Sequence, residues 1–258
     1  MLPIFQYLPL FIRLPLYYRL FSKRREMRPE LFENAPLALL PEVTMKLLST
    51  DCGHRSLAYT GIFEWPVTKR MAVLAKEGGH LIDVGANVGY FSLLWSGLRA
   101  GNSVDAFEAL PANVRRLQHN IERNRMTEQI HLHAYALGKS DGMVAFDCGP
   151  AEQSGWAGIA AKQTEDSLEV RLQRLDDVMS QLSRATTMKV DCEGADSWVL
   201  EGARELLGKP LLRNVFFEVN EPRQSALGIP LHASQQILRS LGFRCEQIAP
   251  DEWYAHKD

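Results

Sequence analysis

From His80 onward the apolar positions follow two alternating rhythms. Short runs that are continuous or two-periodic read as strands: HLIDV (80–84), SVDAFE (103–108), IHLHAYAL (130–137), TTMKV (186–190) and NVFFEVN (214–220). Between them the spacing shifts to that of helices. VGYFSLLWSGL places Phe91, Leu94, Trp95 and Leu98 at i, i+3, i+4 and i+7, and PANVRRLQHNIERN opens on Pro111 and aligns Val114, Leu117 and Ile121. DSWVLEGARELL opens on Asp196, a candidate N-cap, and LHASQQILRSLG stops at Gly242 before two short terminal strands. Strands alternating with helices through short links predict an α/β fold with a mostly parallel central sheet and helices on both faces. Residues 139–175 break the rhythm with four glycines, and read as an inserted loop or small antiparallel addition.

Upstream, Pro66 and the stretch VTKRMAVLAKEGG predict a helix, and the rest of 29–79 reads as a helical or irregular lead-in. Residues 1–28 repeat every six residues (LPIFQY, LPLFIR, LPLYYR), and Pro3, Pro9 and Pro15 are expected to disrupt a continuous helix. Arg13 and Arg19 interrupt the apolar run, which argues against a membrane span, and the run is expected to make a poor signal peptide because no basic n-region precedes it and no small-residue cleavage site follows. The basic cluster Lys23, Arg24, Arg25 and Arg28 leaves two readings open: peripheral contact with an anionic membrane, or a segment packed on the body or over the active-site mouth. The expected division is therefore 1–28, 29–79 and a main domain at 80–258.

Composition narrows the function. The 258 residues are 46% hydrophobic with formal net charge −2, enough for one large core and without the basic field that nucleic acid requires. Four scattered cysteines (Cys52, Cys148, Cys192, Cys245) form no C-x-x-C pair, and suit a reducing, cytoplasmic setting.

The chemistry concentrates in LIDVGANVGYF (81–91). Its turn has the position of a dinucleotide loop, but Asn87 and Tyr90 stand where the second and third glycines of G-x-G-x-x-G would be. Asp83 just before the turn is unfavourable beside a diphosphate and suits a ligand with a positive amino group. Glu108 ends the next strand, 19 residues beyond Gly89, where an acid accepts hydrogen bonds from ribose hydroxyls. Together these favour S-adenosylmethionine (SAM) over NAD, although Asp83 could also be a helix cap.

The blocks LIDVGANVGYFSLLW, AFEALPANVRRLQHNIERN, ALGKSDG, RLDDV, MKVDCEGADSWVLEGA and FFEVN, in this order, resemble the FkbM family of SAM-dependent methyltransferases from about His80 to Asn220. The resemblance implies the Rossmann-like class I methyltransferase fold with a terminal antiparallel strand. It also implies O-methylation of a hydroxyl on a small molecule, a sugar or a lipid-linked glycan. Asp83, Gly85, Asn87, Gly89 and Glu108 would then line the SAM pocket. The chain departs from the family at Ala109, where proline is usual, and at Cys192 and Asp196, where valine and glutamate are common.

Methyl transfer to a hydroxyl needs a base or a metal to take up its proton. MKVDCEG puts Lys189 and Asp191 on one side of a strand with Glu193 in the following turn, and Glu218 and Asn220 end the next strand. Asp191, Glu218 and Asn220 would suit a divalent cation such as Mg2+, as in catechol-type O-methyltransferases. Alternatively Asp191 or Glu193 is a metal-free base, or Glu193 and Asp196 cap a helix while Lys189 neutralises Asp191. His232, opening a late helix, is a further candidate base. His54 reaches the site if the lead-in folds across it, His131 and His133 belong to an edge strand, and Trp156 belongs to an acceptor loop or a plain turn. The rival functions are an NAD-dependent oxidoreductase and a catalytically silent SAM-fold binding module. Oligomeric state is unreadable from the sequence.

Overall fold

The computed structural model describes residues 8–20, 29–150, 152–178 and 184–258. In chain order it contains α1 (Leu10–Leu20), α2 (Pro29–Glu33), β1 (Ala35–Leu37), β2 (Leu40–Met45), α3 (Cys52–Thr60), α4 (Trp65–Glu77), β3 (His80–Val84), α5 (Tyr90–Leu98), β4 (Ser103–Phe107) and α6 (Pro111–Arg123). β5 (Ile130–His133), β6 (Ala136–Leu137), β7 (Gly142–Asp147), β8 (Gly158–Ile159), β9 (Leu168–Gln173), α7 (Leu175–Val178) and β10 (Ala185–Val190) follow. The chain ends with α8 (Asp196–Glu201), α9 (Arg204–Leu207), β11 (Asn214–Glu218), α10 (Glu221–Ala226), α11 (Ala233–Ser240), β12 (Arg244–Gln247) and β13 (Glu252–His256).

Seven strands form the central sheet in the order β12-β13-β11-β10-β3-β4-β5. β11, β10, β3, β4 and β5 run parallel, and β13 enters antiparallel against both β11 and β12. The expected α/β class and its terminal antiparallel strand are both present. β3 is buried along its whole length, as a central strand between two helix layers must be. One core face joins β3, β4 and α5 to the lead-in through Leu81, Leu93, Trp95, Leu37 and Met45. The opposite face packs Ile82, Met188 and Phe217 against Val199, Leu200 and Leu238.

The glycine-broken middle segment is a second sheet, β6-β9-β7-β8, in which β7 pairs antiparallel with β9 and β8 while β6 runs parallel to β9. The lead-in departs from expectation. After α2 it forms a β1–β2 hairpin, and α3 follows with Asp51 as its N-cap and Gly61 as a left-handed C-cap at φ 70°. Gly61 is required there, because a Cβ would meet Ala38 N and Pro36 O at 2.7 Å. At the N-terminus, Pro15 lies inside α1 rather than ending it. Pro3 and the basic cluster at 23–28 lie outside the described residues.

Asp196 is also corrected. Ala195 occupies the N-cap, and Asp196 is the first helical residue, fully buried. Its Oδ1 accepts from Glu218 N–H at 3.0 Å and its Oδ2 from Cys192 N–H at 3.4 Å, so it ties the end of β11 to the turn after β10. Burial pushes its carboxyl up to about 8, with Asp191 adding to the rise. Asp196→Ala leaves two N–H groups unpaired, and we expect a loss of about 1–3 kcal/mol in chemical denaturation. Wild-type stability in that variant would remove Asp196 from its place as the tie between the strands.

Candidate functional site

Parallel strands deliver their carboxyl ends to one edge of the sheet, and the turns leaving β3, β4, β10 and β11 meet there. The turn after β3 lies directly on the end of β10: Gly85 has φ 79°, and a Cβ on it would stand 1.9 Å from Asp191 O. Asn87 and Gly89 are also left-handed, at φ 50° and 97°. Asparagine tolerates that region better than most side chains, so Asn87 keeps the turn where a second glycine is missing.

Four of the loop's own N–H groups are already paired. Gly85 and Ala86 both donate to Phe107 O at 2.9 Å, Asn87 donates to Glu108 Oε2 at 2.8 Å, and Gly89 donates to Ala86 O at 2.8 Å. A diphosphate cradle needs such groups free. Glu108 Oε1 accepts from Leu110 N–H at 2.8 Å, and burial pushes its carboxyl up to about 7.

Asp83 sits inside the sheet, 1% exposed, in register with Lys189 on β10. Its Oδ2 accepts from Ser92 Oγ at 2.6 Å, and burial raises its pKa. The Lys189 ammonium donates to Asp191 Oδ2 at 2.7 Å, lies 3.8 Å from Glu64 Oε2, and stands 4.7 Å over the Phe91 ring. Burial works against its charge, but Asp191, Glu64, Glu252 and Asp83 prevail and raise its pKa well above the usual value.

Asp191, Glu193 and Glu218 come together, with one oxygen of each within 4.8 Å of the others. Glu193 is held at φ 51° in the turn after β10, and its Oε2 accepts from Asn220 Nδ2 at 3.0 Å. Burial, then Asp191, push Glu193 up to about 7, and burial raises Glu218 far beyond the carboxylate range. Asn220 meets the acids through that bond, while its Oδ1 caps α10 by accepting from Arg223 N–H at 3.3 Å. His232 is exposed at the start of α11 with φ 66° and is not among the residues lining the cavity.

These groups border a cavity of about 630 Å3. Seven carboxylates line it among the described residues (Asp51, Glu64, Asp83, Glu108, Asp191, Glu193 and Glu218), against Lys189, Arg55 and His54. The lead-in does fold across the site, bringing His54, Glu64 and Trp65. The middle segment contributes Ser154, Gly155 and the half-exposed Trp156, whose carbonyl accepts from Arg223 Nη2 at 2.8 Å. His131 and His133 lie on the edge strand β5, away from this cavity, and His133 Nε2 bonds Asp105 at 2.7 Å. The Cys192 thiol is pushed up by burial and is no nucleophile. Sequence reading missed Glu64 and Asp51. The signal was present in TDCGHRSLAYTG, an aspartate and a glycine bracketing a nine-residue helix.

Residues 83–245 match the methyltransferase FkbM domain. The chain belongs to the FkbM methyltransferase family. Two curated relatives are similar. One is methyltransferase 1 of Beauveria bassiana, 24% identical over 68% of this chain and 76% of that protein. The other is the AMB antimetabolite synthetase AmbE of Pseudomonas aeruginosa, 26% identical over 77% of this chain but only 11% of that much longer protein. A methyltransferase FkbM structure from Methylobacillus flagellatus shares the fold at TM-score 0.51 and 17% identity, over 70% of this chain and 44% of that one.

Two outcomes follow from the geometry. Gly85→Ala drives a methyl group into Asp191 O, and SAM-family ligands should fail to bind at concentrations that saturate the wild type; retained calorimetric affinity would show that the contact yields freely. The raised carboxyls also set a pH dependence. The unfolded chain ionises Glu108, Glu193 and Asp196 near 4.5 and 3.8, whereas the folded chain holds their protons to about 7 to 8. Stability of the ligand-free protein therefore falls as pH rises from about 5 to about 8. A melting temperature that rises across that window would contradict these assignments.

Proposed function

We propose that this methyltransferase moves a methyl group from SAM to a hydroxyl of a small molecule, a sugar or a lipid-linked glycan. The observation that carries the reading is the cavity's polarity. Its carboxyl groups outnumber its cationic side chains, and the Gly85, Ala86, Asn87 and Gly89 N–H groups of the turn beneath them are already paired, which favours a cationic ligand over a diphosphate. This also sets aside the NAD-dependent reading, and the family membership supports chemistry over a silent binding module.

When bound, SAM supplies a methyl group activated by its sulfonium. The residues do the rest. Glu108, already on the Asn87 N–H, has lone pairs left for ribose hydroxyls, and Asp83 and Asp191 favour the donor's positive charges. Glu193 would take up the acceptor's hydroxyl proton as its oxygen is methylated. Glu193 is the better base of the two strand-end acids, because Asp191 is neutralised by Lys189 while Glu193 is tuned to about 7. Phe63, Tyr90 and Phe91 pack edge to face in the wall of the same cavity and help exclude water.

A divalent cation among Asp191, Glu193 and Glu218 is the second reading, favoured by their close approach. The Lys189 ammonium at 2.7 Å already occupies Asp191 Oδ2, and Glu193 and Glu218 hold protons that a metal would have to displace, which favours the metal-free base.

The acceptor side includes α1, which adds Leu14, Tyr17 and Tyr18 to the cavity and leaves Phe11, Ile12 and Leu20 exposed. Among the described residues no helix is long and apolar enough to cross a membrane. The proposal is peripheral contact through residues 1–28 at a cytoplasmic membrane face, next to a lipid-linked acceptor. Full-length chain should float with anionic liposomes, and a chain starting at Pro29 should not; equal flotation overturns it.

Glu193→Gln should lower kcat by about a hundredfold or more, with labelled methyl transfer from SAM to extracted sugars and lipids as the assay. S-adenosylhomocysteine affinity should hold, and the wild-type rate should rise through a pKa near 7. An equally active variant would remove Glu193 as the base.

A further inference from the structure

Helix α3 brings two polar groups to the cavity that the proton transfer does not use. His54 is 4% exposed. Its Nδ1 accepts from Leu48 N–H at 3.1 Å, and its Nε2 has no partner among the described residues. A neutral imidazole that accepts through Nδ1 carries its proton on Nε2, so the unpartnered atom is a donor. The ring is neutral: burial lowers its pKa, Asp51 opposes that, and Arg116 adds to it. Arg55 follows. Its Nη2 contacts Cys52 Sγ at 2.9 Å, while its buried Nε–H also lacks a partner among the described residues.

Both donors are fixed in place. Asp51 Oδ1 accepts from His54 N–H at 2.9 Å and its Oδ2 from Ser154 N–H at 2.7 Å, and Cys52 N–H donates to Glu152 O at 2.8 Å. The first of those bonds caps α3, and the other two clip its start to the middle segment. Buried donors without acceptors are costly, and a ligand that brings acceptor oxygens recovers that cost.

The charge map says which oxygens. SAM ends in an amino acid. Its ammonium finds carboxylates along the wall, but its carboxylate would be repelled by the same wall. Among the described side chains lining the cavity, Lys189 is committed to Asp191, which leaves His54 and Arg55 as the complementary pair. We propose that His54 Nε2–H and Arg55 Nε–H bind the carboxylate of the cofactor's amino-acid end. The assignment rests on the SAM reading above. A carboxylate on the methyl acceptor would offer the same chemistry, and the test separates the two sources.

The test is calorimetric binding of S-adenosylhomocysteine and of 5′-methylthioadenosine, which keeps the adenosine and the sulfur but has no amino-acid end. His54→Phe should weaken S-adenosylhomocysteine about tenfold and leave 5′-methylthioadenosine unchanged. His54→Gln, which restores an N–H, should recover part of the loss. Arg55→Met should act in the same direction, and serves as the second variant if His54→Phe does not fold, as judged by its thermal melt. Equal weakening of both ligands, or of neither, overturns the assignment. Unchanged affinity for both together with a raised KM for the methyl acceptor would place the carboxylate on the acceptor instead. A wild type that binds neither ligand brings down the SAM reading itself, a result distinct from all of these.

Discussion

The Lys189 ammonium, with its side chain 3% exposed, is held between carboxylates from three elements. Asp191 is beside it at 2.7 Å, Glu64 of the lead-in is at 3.8 Å, and Asp83 faces it on the neighbouring strand. A buried charge of this kind is stable only when its surroundings complete it. The surroundings here overcomplete it, and the surplus negative charge is stored as protons on Glu193 and Glu218, whose carboxyls burial pushes far above their ordinary range. The pocket is therefore electrostatically unfinished in the direction of a cation. The proposed cofactor and the proposed proton acceptor both rest on that one imbalance.

The fold creates the imbalance by topology. β3, β10 and β11 are adjacent and parallel, so their carboxyl-terminal acids converge on one edge. Gly85 lets the first turn lie against Asp191 O, which closes the distance between the cofactor loop and the acids. Asp196 fixes the far side through the Glu218 and Cys192 N–H groups, and Asn220 holds Glu193. The lead-in then roofs the space with α3 and the left-handed Glu64, and turns an open crevice into a cavity.

Much of this was legible in the chain. The alternation of runs located every strand of the central sheet, and Asn87 and Tyr90 stand where a dinucleotide loop would have glycines. The pairing of the Gly85, Ala86, Asn87 and Gly89 N–H groups within the fold is in line with that reading. What stayed hidden depends on contacts distant in sequence. Asp196 resembles an N-cap because Asp at a helix start usually is one, yet its partners are the N–H groups of Glu218 and Cys192, the first of them 22 residues away. Asn220, a candidate metal ligand by spacing, accepts from the Arg223 N–H and donates to Glu193, bonds that spacing does not show. Glu64 and His54 carried no periodic signal toward a strand end, because the hairpin that folds them over the site is set by Ala35, Leu37 and Met45 packing into the same core as α5. His232 illustrates the converse: a plausible residue type at a plausible position, left exposed at the surface.

The most direct test of an electrostatically unfinished pocket is the proton count on ligand binding. SAM titrated into the protein at pH 7, in buffers of different ionisation enthalpy, should release protons as carboxyls such as Glu193 ionise to meet the sulfonium and ammonium. S-adenosylhomocysteine, with a neutral sulfur, should release fewer. Proton uptake, or tight binding with no proton release from either ligand, would contradict the account.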